Sequence, residues 1–187
     1  MSILLSSILK EVTSQPENKE KTLYSNEWLS LISKPTPGGD YIFSHETRCN
    51  GSIVAVLPYF RHGLDSWKYG IRLEITPSWS MKPSKSSLTG AVDDGETPVE
   101  SAVRELKEEA GITCKKEDMK SLGTCRGTKS SDTIYHLFAI DVAKLEKGIA
   151  TGAETKYDKE AKMLWTWDVK DVQCPIFYTM YARLGLF

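Results

Sequence analysis

"GAVDDGETPVESAVRELKEEAGI", Gly90 to Ile112, decides how the rest of the chain is read. It carries seven acidic residues, and Glu105, Glu108 and Glu109 crowd its second half. Thr97-Pro98-Val99-Glu100 has the pattern of a capping box, with proline at the first helical position, where its missing N–H costs nothing. Gly111 stands where a left-handed residue ends a helix. The two signals predict a helix over Pro98–Ala110. On the 3.6-residue period Val99, Ala102, Val103, Leu106 and Ala110 form one apolar stripe. Glu105, Glu108 and Glu109 occupy the adjoining arc, and Arg104 lies four residues from both Glu100 and Glu108. Like charges at this spacing oppose a helix by a few tenths of a kcal/mol, and by more where the face is partly buried, unless a cation neutralises them. Read alone, the hexapeptide "RELKEE" fits a solvated helix face as well as a cation site. Carboxylate oxygens in a cation site are hard ligands and select Mg²⁺, Mn²⁺ or Ca²⁺ over zinc.

Outside this stretch the chain reads as an ordinary globular domain. Its 187 residues suffice for one sizeable core, 40% are hydrophobic and 26% charged. Twenty-four Lys and Arg against 25 Asp and Glu leave a formal charge of −1, so no basic field draws the protein to nucleic acid or to an anionic membrane. The longest apolar run, Ser52 to Phe60, is too short to span a bilayer, and the N-terminus lacks the basic region of a signal peptide. Cys49, Cys114, Cys125 and Cys174 include no C-x-x-C pair, and scattered thiols fit a reducing cytoplasm.

Residues 1–25 are polar and mixed, and form a loosely ordered or helical N-terminal segment in this reading; residues 26–187 make one domain. Strands are expected at Asn26–Lys34, Asp40–Arg48, Gly51–Phe60, Trp67–Ile75, Thr133–Val142 and Lys162–Val169. Pro35 to Gly39 breaks the first of them. Residues 76–87 and 146–161 read as loops. A helix from Pro175 closes the chain. Strands, one strong helix, more strands and a last helix make an α+β pattern rather than a doubly wound one.

The Gly90–Ile112 stretch resembles the Nudix box, G-x5-E-x7-R-E-U-x-E-E-x-G-U with U aliphatic. Gly90, Glu96, Arg104, Glu105, Leu106, Glu108, Glu109, Gly111 and Ile112 fill every defined position. At average residue usage the charged and glycine positions coincide by chance at roughly 10⁻⁹ to 10⁻⁸ per starting point, which weighs against the solvated-face reading. The resemblance implies a mixed, curved sheet between helices with the box as loop–helix–loop. It also implies Mg²⁺-dependent hydrolysis, with Mn²⁺ as a substitute, of a nucleoside diphosphate linked to another group X. By position, Glu105, Glu108 and Glu109 would hold the metal together with the Thr89 carbonyl. Arg104 would hold the carboxylates, and Glu96 would brace the loop. The general base would be a box glutamate, or Glu154 or Glu160 from a later loop.

Beyond the box, "GGDYIF", "SIVAVLPYF", "YGIRLEITPSW" and "SSDTIYHLFAIDV" are similar to segments of ADP-sugar pyrophosphatases. The chain departs from that branch where "LEITPSW" replaces a Q-Y-R segment, and where "CRGTKSSD" replaces a loop with a proline. ADP-ribose or a related ADP-containing dinucleotide is the substrate this likeness implies. Arg72, Arg126, Lys82 and Lys129 are candidates to contact phosphate or ribose, and Trp28, Tyr41, Trp67 and Trp79 to stack on adenine. A homodimer using the N-terminal strands is implied on the same footing. Three rivals stay open: hydrolysis of (d)NTPs or diadenosine polyphosphates, RNA 5′-cap processing, and a non-catalytic nucleotide-binding module. The intact box argues against the last, and the near-neutral charge against the cap enzyme.

Overall fold

The computed structural model describes residues 19–64, 66–152 and 161–185. Its centre is β4 (Ser52–His62), whose run Ile53–Leu57 is buried on both faces. Alternation along this strand divides the core in two. Val54 and Val56 join Leu88, Phe138 and Ile140 on one side, while Ala55 and Leu57 join Ile71, Leu137 and Ala139 on the other. The first layer is closed by α1 (Pro98–Ala110) through Ala102 and Leu106, and the second by α2 (Pro175–Leu184) through Ile176, Phe177 and Met180. Fully burying a side chain such as Leu106 or Phe177 stabilises by about 1.5–3 kcal/mol, so the two helices lock the sheet from both faces. The expected α+β architecture, a sheet between helices, is the one found.

The main sheet runs β12–β5–β4–β10–β9 (β12 Lys162–Thr166, β5 Ser66–Glu74, β10 Ile134–Asp141, β9 Lys120–Cys125). β10 pairs with β4 in parallel and the other neighbours are antiparallel, which makes the sheet mixed. β6 (Ser84–Ser86) adds to β5, and β7 (Leu88–Ala91) adds to the first half of β4. β8 (Ile112–Thr113) and β11 (Glu146–Lys147) form a separate short pair behind α1.

The N-terminal part differs from its expectation. Lys21–Ser25, assigned to the loosely ordered segment, forms β1 and pairs with β2 (Ser30–Thr36), which pairs in turn with β3 (Gly39–His45). The strand expected over Asn26–Lys34 begins later, because the Asn26 side chain accepts from the amides of Trp28 and Leu29 and makes a turn there. It also runs through Pro35, opposite Asp40, close to the strand end. By register Tyr24, Leu31 and Ile42 share one face of this meander and are exposed. The meander is anchored by the Ser44 amide, which donates to the Ser130 carbonyl at 2.9 Å, and by a His45–Asp132 contact of 2.9 Å. Among the described residues no helix is long and apolar enough to cross a membrane.

Both ends of α1 form as its sequence dictates. The Glu100 carboxylate accepts from the Thr97 amide at 2.8 Å and from its hydroxyl at 2.6 Å, and Gly111 adopts φ 67° and donates to the Lys107 carbonyl. The hydrogen bond from Lys116, with those from Thr97, holds the Glu100 carboxyl down to about 2 from its ordinary 4.5. A depressed carboxyl stabilises above its unfolded value and ceases to do so as pH falls through the folded one. The difference in Tm between the native protein and Glu100→Gln should therefore be largest at neutral pH and close as pH falls from 4.5 toward 2. Because the site is exposed, the gap is small throughout. A gap that persists undiminished in acid contradicts the assignment.

Candidate active site

The box wraps its own helix around one arginine. After β7 the chain turns at Asp93–Glu96, where the Glu96 amide donates to the Asp93 carbonyl, and α1 begins. The Glu96 side chain folds back onto α1. It accepts from the buried Ser101 hydroxyl at 2.6 Å and from Arg104 through Nε and Nη2 at 3.1–3.2 Å. Arg104 spends its other donors on Glu105 (2.7 Å), Glu108 (3.2 Å) and the Ala91 carbonyl (3.0 Å), with Asp93 at 3.3 Å. A guanidinium is suited to this because its planar fork reaches several acceptors at fixed angles. The hydrogen bonds from Arg104 and then Ser101 hold the Glu96 carboxyl below its usual value. Burial works against the charge on Arg104, but its bonds to Glu96 and Glu105 outweigh that and raise its pKa. Glu100, equally spaced from Arg104, instead binds Lys116 and its own helix start.

Glu105 is only 8% exposed and its carboxylate lies over Gly90. A Cβ at position 90 would fall 1.9 Å from the Glu105 carboxyl carbon, so the first glycine of the box is what gives this carboxylate its place. Gly90→Ala is expected to displace Glu105 and destabilise the fold by about 1–3 kcal/mol, as overpacking does. Thermal melting checks this, and an unchanged Tm contradicts it. Gly111 is required twice over, by its φ and because a Cβ there would meet the Gly148 carbonyl at 2.5 Å. The same 148–152 segment seals the end of α1: the Thr151 and Gly152 amides donate to the Glu108 carbonyl at 2.9 and 2.8 Å.

Glu109 faces the sheet and pairs with the Arg72 guanidinium, which also binds Glu74 at 3.2 Å. Arg72 is 4% exposed. Glu109 Oε2 is buried, and its partner is the charge of Arg72 rather than a regular hydrogen bond. Between these groups lies a cavity of about 230 Å³, walled by Arg48, Arg72, Glu74, Thr89, Gly90, Arg104 and the three box glutamates. Among the described residues no three His, Cys, Asp or Glu side chains stand close enough together to hold a metal ion. The reason lies in the arginines. Arg104 draws Glu105 and Glu108 to one side, and Arg72 draws Glu109 to the other.

The other candidates scatter. Trp28 is exposed, with Arg48, a wall of the cavity, 5.9 Å over its ring. Trp79 is 45% exposed and lines a neighbouring cleft. Arg126 and Lys129 border a more distant one, beside Tyr41. Trp67 packs edge-on against Tyr59 at 5.6 Å. Lys82 lines none of these cavities, and Glu154 and Glu160 lie outside the described residues. Arg48, Glu74 and Asp93 line the cavity without having been singled out from sequence. Glu74 carries a signal in retrospect, since it follows Arg72 by two residues on β5 and so shares its face.

Comparison with known families matches the NUDIX domain to residues 72–170, more than half of the chain. No curated protein sequence matches. A solved structure described as "Crystal structure of ADP compounds hydrolase" superposes with TM-score 0.54 at 18% identity, covering 79% of this chain and 75% of that one. A MutT/nudix family protein from Enterococcus faecalis gives TM-score 0.47 at 16% identity, over 86% of this chain and 51% of that one. At 18% identity the first likeness is one of fold.

Proposed function

The chain belongs to the Nudix family, hydrolases of pyrophosphate bonds, and from that premise we propose that it cleaves the diphosphate linkage of an ADP-containing compound, ADP-ribose first among them. One observation carries this reading above the others. The three box glutamates and the Thr89 strand border one cavity, with Arg48, Arg72 and Arg104 at its walls. All of the donors are hard oxygens, the set that suits Mg²⁺ or Mn²⁺, so the residues present fit the divalent ion the family uses. Glu105, Glu108, Glu109 and the Thr89 carbonyl would hold it. When bound, such an ion neutralises phosphate charge and lowers the pKa of a water.

The chain's own groups then have defined tasks. Glu96 fixes Arg104, and Arg104 fixes the directions of Glu105 and Glu108. Arg72 exchanges Glu109 for a phosphate group of the substrate, two of whose oxygens match its fork. A carboxylate, either from the box or Glu154 or Glu160, takes the proton of the attacking water. The water oxygen bonds to one phosphorus as the bond to the bridging oxygen breaks. The products are a nucleoside monophosphate and X-phosphate. The compartment we propose is the cytoplasm, where four thiols without disulfides are stable.

The test is a panel of ADP-ribose, NADH, diadenosine polyphosphates, dNTPs and capped RNA, assayed with Mg²⁺. The expected result is release of AMP and ribose 5-phosphate from ADP-ribose at the highest kcat/KM. Preference for dNTPs moves the protein to the triphosphate reading, and no turnover of any compound overturns the hydrolase reading for this chain.

A further inference from the structure

A second cleft, of about 310 Å³, opens from the carboxylate cavity, since Glu74 and Thr89 line both. Its volume is at the lower end of small-molecule clefts, roughly 300–1,000 Å³. Two aromatic residues distinguish it. Trp79 stands on the turn after β5, fixed by its amide donating to the Thr76 carbonyl at 2.8 Å, and the residue is 45% exposed. Tyr135 comes from β10 on the opposite wall, where a Cβ at Gly127 would lie 3.3 Å from its ring, so the glycine lets the loop backbone pass close over the phenol. Neither the Trp79 indole N–H nor the Tyr135 hydroxyl has a hydrogen-bond partner among the described residues. Burial pushes the Tyr135 phenol up to about 12, so it is a donor at neutral pH. Both residues line the cleft, so a ligand seated there can accept from either donor in place of water. An aromatic face with donors at its rim complements a planar heterocycle that carries ring acceptors.

We propose that this cleft is the base-binding subsite, with the Trp79 ring stacked on a purine and the Tyr135 hydroxyl donating to one of its acceptor nitrogens. The assignment rests on the proposed function for placing the diphosphate in the adjoining cavity. It orients the substrate: the nucleoside end lies toward α2 and the loop at Gly127, and X lies on the other side of the carboxylates.

The experiment is calorimetric titration of the full chain with AMP and, separately, with ribose 5-phosphate. Trp79→Ala should weaken AMP by about 10- to 100-fold, the range of base–aromatic stacking. Tyr135→Phe should weaken it by about 3- to 10-fold, the loss of one hydrogen bond. Trp79→Phe, which keeps a stacking face, should stay near the native affinity and guards against a folding defect in the alanine variant. Ribose 5-phosphate, which has no base, should bind all four proteins alike. AMP affinity unchanged in Trp79→Ala, ribose 5-phosphate weakened as much as AMP, or no AMP binding by the native protein each overturns the assignment. Because binding is read without turnover, a protein that takes AMP in this cleft but hydrolyses nothing in the panel separates failure of the hydrolase reading from failure of this one.

Discussion

Glu109→Gln is expected to lower kcat by about 10²- to 10⁴-fold, the range over which a positioned charged group acts on proton transfer and phosphate charge. The amide keeps the shape of the side chain and removes one negative charge. Folding should tolerate the change. Arg72 retains Glu74 at 3.2 Å, so its charge keeps a carboxylate partner when the pair with Glu109 is weakened. The Tm should therefore shift by only a few degrees in either direction. Steady-state hydrolysis of ADP-ribose at saturating Mg²⁺, with a melting curve on the same sample, reads both quantities. A variant that turns over at the native rate contradicts the placement of Glu109 in the site.

Arg104→Met should be the more damaging change to stability. The arginine binds Glu96, Glu105, Glu108 and the Ala91 carbonyl, and it is mostly buried. Removing one side of such a pair leaves carboxylates in a poor dielectric without compensation, at a cost of about 3 kcal/mol. For a domain of this size that lowers the Tm by roughly 6–12 °C. Arg104→Lys should recover only part of the loss, because an ammonium is a point charge and cannot reach both Glu96 and Glu105 with a planar fork. The electrostatic origin has its own signature: Mg²⁺ should raise the Tm of Arg104→Met by more than it raises that of the native protein, since a cation can take over the neutralisation. An equal shift in both places the effect in packing instead.

The parts of this molecule that sequence reveals are those specified locally. The helix Pro98–Ala110 is bounded by a proline-containing capping box and by Gly111, and it forms between those bounds. β4 declares itself through an unbroken apolar run, because both faces meet a helix. The missed strands lack such a signal. β9, Lys120–Cys125, contains Gly123 at φ 80° and slips register against β10, so no alternation of period two survives. β6 is Ser-Lys-Ser and reads as loop, although Ser84 and Ser86 are buried against β5. The box places its glutamates on one short helix, and the motif alone points to Glu96 and Arg104. Sequence does not reveal that Arg72, Glu74 and Arg48 come from other parts of the chain to wall the same cavity, because that juxtaposition depends on how β5 and the segment before β4 pack against α1.

The pairing of Glu109 with Arg72 bears on how the site works. The carboxylates are neutralised by arginines on two sides, and this offsets the repulsion that three glutamates in one cavity would otherwise exert on the helix. A divalent ion held as proposed would compete with Arg72 for Glu109, and the guanidinium so released would face the cavity where the diphosphate is proposed to lie.

Hydrolysis as proposed depends on divalent ions linking these carboxylates to a diphosphate. The most direct measurement is AMP release from ADP-ribose as a function of free Mg²⁺, beginning from protein stripped with EDTA. The account predicts no turnover in the chelated protein and recovery to the full rate as Mg²⁺ is restored. Undiminished hydrolysis in the presence of the chelator would contradict it.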